Sequence, residues 1–176
     1  FASVSPEAAA CSITFGAPSK TFNIAGIVSS YSVVPNDSLR HRFHEWMEAN
    51  EMNAAPLFSP IATIAAFRKG EEWRKQMLEY VEGNINFLTD YCREKMPEIK
   101  PLRPQASFLV WLDCRSLGLD HDQLIDLFIN KAGLALNDGE MFNPGGQGFM
   151  RLNVGTPRKI LKSALDRLHK AISENL

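Results

Sequence analysis

The chain has 176 residues, 45% of them hydrophobic, which is enough for one ordinary domain or for a large domain fragment joined to a small one. Its 19 basic and 20 acidic residues are scattered, which excludes a nucleic-acid stripe or a basic membrane-facing patch. The uncharged stretches are interrupted by Ser, Asn and Pro short of the roughly 18 to 20 apolar residues of a spanning helix, and no leader-like segment opens the chain, so a soluble protein is expected. Three widely spaced cysteines, Cys11, Cys92 and Cys114, make no Cys-x-x-Cys pair, which argues against a disulfide framework or a zinc site and for a reducing, cytoplasmic setting.

In chain order, two β-branched runs, Ile13 to Phe15 and Ile27 to Val34, flank a break containing Gly16, Pro18, Ser19 and Lys20, a strand–turn–strand pattern. A lysine in a turn is ordinarily a solvated charge. Here Phe15, Phe22 and Ile24 lie close enough in sequence to desolvate the ammonium and make it a usable nucleophile. Asn36 or Asp37 caps a helix to about Asn50, with Leu39, Phe43, Trp46 and Met47 on one face. His41 and His44 on that helix have no third ligand at a sensible spacing, so no metal is expected. Ser59 reads as an N-cap with Pro60 in the first turn of a helix stopped by Gly70.

A long amphipathic helix follows over residues 71–96, with Trp73, Met77, Tyr80, Val81, Leu88, Tyr91 and Cys92 on one side and Gly83 weakening it. Pro97, Pro101 and Pro104 then mark the entry to a second domain. Within it, 107–112 reads as a strand, Asp120 with Gln123 as a capping box for a helix ending near Gly133, and 134–136 as a short strand before an Asn137-Asp138-Gly139 turn. A strand over 149–154 and a last helix opened by Thr156-Pro157 complete the chain. Gly145-Gly146-Gln147-Gly148 precedes a strand rather than a helix, so it is a turn and not a phosphate loop. Period-two alternation places Arg151, the one charge in its strand, on the face with Phe149 and Asn153. It is either a strand-edge arginine paired to a nearby acid or a fork for a substrate carboxylate.

The segment Ala17-Pro18-Ser19-Lys20-Thr21-Phe22-Asn23-Ile24-Ala25-Gly26 resembles the cofactor-lysine segment of fold-type I pyridoxal-phosphate enzymes of the class I/II aminotransferase superfamily, and within it the cystathionine β-lyase-like carbon–sulfur lyases. Residues 60–67, Gly70-Glu71-Glu72-Trp73 and residues 149–158 resemble later blocks of that group, in the same order. The resemblance implies an α/β fold: the end of a large cofactor domain with a mixed or parallel sheet over residues 1–97, and a small α+β domain over 98–176. It implies pyridoxal 5'-phosphate bound by Lys20, with Ser19 as a phosphate or lysine neighbour and Arg151 as the binder of the substrate α-carboxylate. It further implies a homodimer acting on a small-molecule amino-acid substrate, cystathionine or cysteine, by carbon–sulfur β-elimination, with transamination as the alternative. The family's pyridine-nitrogen aspartate, ring-stacking aromatic and phosphate anchor lie upstream of the lysine segment, so the chain looks like a C-terminal portion, inactive by itself or a mere interaction piece. Val28 stands where many relatives carry a phosphate-binding arginine, and Ala17 where some carry a serine, which favours the lyase-like branch.

Overall fold

The computed structural model describes residues 1–142 and 144–175, and the chain parts into two units, 1–76 and 77–176. The first unit holds helix α1 (Pro6–Ala10), the antiparallel pair β1 (Thr14–Gly16) and β2 (Tyr31–Val33), helix α2 (Asp37–Ala49) and helix α3 (Ser59–Lys69). Helix α4 (Glu71–Lys95) runs from this unit into the second. There β3 (Lys100–Leu102), β4 (Leu109–Asp113), α5 (His121–Asp126), β5 (Asn137–Asp138), β6 (Phe149–Asn153) and α6 (Arg158–Asn175) follow. The sheet order is β3-β4-β6-β5, antiparallel throughout. Helices with antiparallel sheets make up the α/β arrangement expected from the sequence, although no parallel pair occurs among the described residues.

The capping chemistry read from the sequence is largely in place. Asn36 Oδ1 accepts from Leu39 N at 3.0 Å and opens α2. Asp120 and Gln123 form a reciprocal capping box at 2.9 and 3.0 Å, and α5 continues as a π-turn over Leu127–Lys131. Ser59 departs from the expectation. It lies inside α3, whose N-cap is Phe58, and its buried hydroxyl donates to Ile27 O at 2.5 Å instead of capping.

Two strand bounds also shift. The run over 27–34 narrows to β2 because Ala25–Ile27 coils into a 3-10 turn. Residues 134–136 form no strand: Leu134 N is spent on Phe128 O and Leu136 N on Leu134 O. The pairing falls instead on Asn137 and Asp138, which were read as a turn and which stand opposite Arg151 and Met150.

One core serves the second unit. Val81, Ile85, Leu88 and Cys92 of α4 meet Val110 and Leu112 of β4, Met150 and Leu152 of β6, and Leu161, Leu165 and Leu168 of α6. This is why the units part inside α4, at Gln76–Met77: the C-terminal three-quarters of the helix is committed to that core. The first unit has no comparable interior. Leu39, Phe43 and Met47 on α2 are half-buried, whereas Trp46 is 56% exposed and Phe58, on the approach to α3, is 71% exposed. Among the described residues no helix is long and apolar enough to cross a membrane.

Cys11 is exposed, whereas burial pushes the Cys92 and Cys114 thiols up to about 12. Thiolate is the reactive form. In the folded chain at pH 8 a disulfide reagent should therefore titrate Cys11 promptly and reach the other two only after denaturation. Prompt reaction of all three would contradict this core.

Candidate active site

Lys20 sits on a turn closed by two backbone bonds, Phe22 N to Pro18 O and Ile24 N to Ser19 O, both 2.9 Å. Pro18 is buried beneath the turn, and Asn23 takes the left-handed conformation (φ 53°) that asparagine tolerates. Lys20 itself is exposed and Ser19 half-buried. The expected desolvation by neighbouring apolar residues is not found in this chain. The Phe15 ring is 65% exposed and edge-on to Phe43 at 5.8 Å, and Phe22 is edge-on to Phe67 at 5.4 Å, so the rings pair with other rings instead of enclosing the amine.

Eight positions after the lysine, Val28 is left-handed (φ 51°), a conformation that is strained for a β-branched residue by about 1–2 kcal/mol. Such strain persists only where neighbours over-determine the backbone. The Ser59 hydroxyl gripping the preceding carbonyl is one such restraint.

Arg151 lies on β6, an inner strand, so it is not a strand-edge arginine. Register sets it between Trp111 on β4 and Asn137 on β5, on the face opposite the buried Met150 and Leu152. Its Nη2 donates to Asn137 Oδ1 at 3.0 Å, and its guanidinium lies 4.2 Å from the Phe142 ring centroid and 6.0 Å from that of Trp111. No acid pairs with it among the described residues, and its buried Nε has no hydrogen-bond partner among them.

A second arginine on the same face makes the contrast. Arg115 stands 4.9 Å over the Phe149 ring but is bidentate to Asp113 at 2.9 and 2.8 Å, and those bonds hold the Asp113 carboxyl below its ordinary range. One guanidinium is satisfied within the chain, and the other keeps a donor in hand.

Asn137, Phe142 and Trp111 were not singled out from the sequence. A signal existed for Trp111: alternation with Val110 and Leu112 turns a tryptophan to the outer face of a central strand. Asn84 was missed as well. It lies one turn from Val81 and Leu88 in the apolar stripe of α4, and a polar residue in such a stripe asks for partners. It is fully buried, donates from Nδ2 to Val154 O and Thr156 O at 2.8 Å each, and accepts from Arg158 Nε at 2.6 Å. Arg158 also donates its backbone N–H to the Tyr80 hydroxyl at 2.7 Å and stacks 4.7 Å over Phe87. This cluster ties α4 to the turn just after β6.

No protein-family model matches the chain. Among curated proteins it is 36% identical over 173 residues to the cystathionine β-lyase PatB of Bacillus subtilis, a match covering 98% of this chain and 45% of that protein. Among solved structures it superposes on cystalysin from Treponema denticola, which contains a pyridoxal 5'-phosphate cofactor, with a TM-score of 0.92 at 31% identity over 98% of this chain and 44% of that one. The pyridoxal-phosphate-bound C–S lyase of Staphylococcus hominis matches with a TM-score of 0.80 at 30% identity, over 93% of this chain and 43% of that one. Aminotransferases are among the other matches. The chain is homologous to the fold-type I pyridoxal-phosphate enzymes and has the fold of their C-terminal half. Its homologues there include cystathionine β-lyases, and it spans less than half the length of the relatives it matches.

Proposed function

We propose that the complete protein is a pyridoxal-phosphate-dependent carbon–sulfur β-lyase that converts cystathionine or cysteine to pyruvate, ammonia and a thiol. The likeness to the cystathionine β-lyase PatB over 98% of this chain carries this reading, and the Nε of Arg151, unpartnered among the described residues, supports an amino-acid substrate. A buried donor left unmade costs about 1–3 kcal/mol, and a substrate carboxylate is the ligand that satisfies a guanidinium best. The residues present fit the cofactor: Lys20 offers an exposed primary amine for its aldehyde, and Ser19 beside it offers a hydroxyl for its phosphate. When bound, pyridoxal phosphate supplies a sink for the electron pair released at the substrate α-carbon.

Lys20 would hold the cofactor, and its free amine would take the proton from the substrate α-carbon. Arg151 fixes the carboxylate so that the Cα–H bond is presented to that amine. As the Cβ–S bond breaks, its electron pair leaves with sulfur, which takes a proton as the thiol. Water then converts the three-carbon remainder to pyruvate and ammonia.

Arg151→Lys in the complete protein should raise KM for cystathionine about ten- to hundredfold with a smaller change in kcat, because a point charge replaces a planar fork. An unchanged KM would remove the carboxylate role. The second reading, transamination, draws support from the aminotransferases among the matches. Pyruvate release from cysteine without any 2-oxo acid favours the lyase, and absolute dependence on a 2-oxo acid favours transamination.

In this reading residues 1–97 close the cofactor domain, 98–176 form the small domain, and the protein works as a cytoplasmic homodimer. The isolated chain is expected to bind the cofactor weakly, turn over negligibly and self-associate, since its first unit leaves Trp46, Phe58 and Ile61 uncovered. Sedimentation showing a monodisperse monomer would contradict that.

A further inference from the structure

The guanidinium of Arg151 is held by more than the one hydrogen bond it makes among the described residues. Phe142 lies 4.2 Å from it, and Trp111 meets Phe142 edge-on at 5.2 Å with an 87° interplanar angle, so the two rings form a corner around the charged plane. Asn137 occupies Nη2 on the other side. An aromatic face restricts where an arginine can swing, and the ring's negative face attracts the guanidinium.

Phe142 does not come from the sheet. It ends the 3-10 turn Gly139–Phe142, which leads into the glycine-rich segment before β6. The two ends of that loop are clasped together. A Cβ on Gly139 would lie 2.1 Å from Gly146 O, and one on Gly146 would lie 1.9 Å from Gly139 O, so only glycines allow this approach. Glu140 N bonded to Asp138 Oδ1 at 3.0 Å and Phe149 N bonded to Gly146 O at 3.1 Å fix the loop to β5 and β6. A cavity of about 330 Å³ opens between Leu102, Trp111, Phe142 and Phe149, beside the rings that hold the arginine.

We propose that Phe142, backed by Trp111 and delivered by the Gly139–Gly146 clasp, is the positioning residue that fixes the plane of Arg151 and so sets how strongly the enzyme prefers a carboxylate over its neutral counterpart. The proposal rests on the carboxylate role given to Arg151 above. The turn of glycines before β6 is then part of the recognition apparatus rather than a slack connection. Phe142 acts through Arg151 and takes no part in proton transfer.

The test is a comparison of two ligands that lack an amino group and so do not react: 3-(methylthio)propanoate and 3-(methylthio)propanamide. Their dissociation constants are measured by calorimetry on the complete cofactor-loaded protein. The parent protein should bind the carboxylate at least about tenfold more tightly than the amide, and Arg151→Ala should abolish that preference. Phe142→Leu should reduce the preference at least about fivefold while changing amide affinity less than twofold, and Phe142→Tyr should restore it. Trp111→Phe, which keeps a ring behind Phe142, should give an intermediate loss. A Phe142→Leu protein that weakens both ligands equally has only lost packing, and one that keeps the full preference shows that Arg151 needs no clamp; either result overturns the proposal. A parent protein without any preference overturns the carboxylate role of Arg151, and this proposal with it.

Discussion

Replacing Lys20 by alanine in the complete protein should lower kcat for cystathionine cleavage by about three orders of magnitude or more. General acid–base catalysis alone is worth about 10²–10⁴-fold, and the covalent attachment is lost with the same side chain. Borohydride reduction of the loaded parent protein should place the reduced cofactor on the peptide bearing Lys20, and the alanine protein should show no label there. Lys20→Arg separates charge from chemistry. It keeps a cation at the turn tip, but a group that stays protonated neither attacks an aldehyde nor takes a proton, so it should be as inactive as the alanine form. Both substitutions should leave the fold intact, because Lys20 is exposed and the turn is closed by backbone bonds at 2.9 Å that do not use its side chain. Label on another lysine, or tenfold or smaller losses in both variants, would remove Lys20 from the mechanism.

The exposure of Lys20 bears on how such a residue is activated. Sequence neighbours made Phe15 and Phe22 look like a desolvating wall, but adjacency along a turn fixes only backbone proximity. The rings went to Phe43 and Phe67, on helices that the sequence shows without showing where they dock. Much of the fold was legible for a local reason: the Asn36 cap, the Asp120–Gln123 box and the apolar stripes of α4 and α6 are written within a few residues of where they act.

What was not legible depended on partners distant in sequence. Ser59 looked like a cap because Pro60 follows it, yet its hydroxyl is claimed by Ile27, on a turn some thirty positions earlier. The strand read at 134–136 moved to Asn137 because a π-turn and Gly133 (φ 64°) used up the local backbone donors first. Arg151 could be placed on a face by alternation. That its neighbours across the sheet are an indole and an amide instead of an acid followed only from the register of three strands.

The largest loss of stability should come from a residue with no chemical role. Asn84→Ala removes two donors to the Val154 and Thr156 carbonyls and the acceptor of Arg158 Nε, all inside a fully buried site. Neutral bonds contribute about 1 kcal/mol each and a charge-assisted one about 1.5–3, so a loss of about 3.5–5 kcal/mol is expected. Asn84→Asp tests the geometry more sharply. A carboxylate keeps the acceptor for Arg158 but turns an oxygen, where a donor stood, toward two carbonyls, so it should be no better than alanine at pH 7 despite its added charge pairing. Gly83 beside it leaves no slack, since a Cβ there would lie 3.1 Å from Arg158 Nη2. Because the Arg158 side chain also stacks on Phe87, Arg158→Ala should cost a comparable amount even though its backbone N–H still reaches Tyr80, and the double variant with Asn84→Ala should cost clearly less than the sum. Urea unfolding of the complete protein measures all four. A loss below about 1 kcal/mol for Asn84→Ala, or strict additivity in the double variant, would show that water replaces the lost partners and that α4 is tied to the turn after β6 by packing alone.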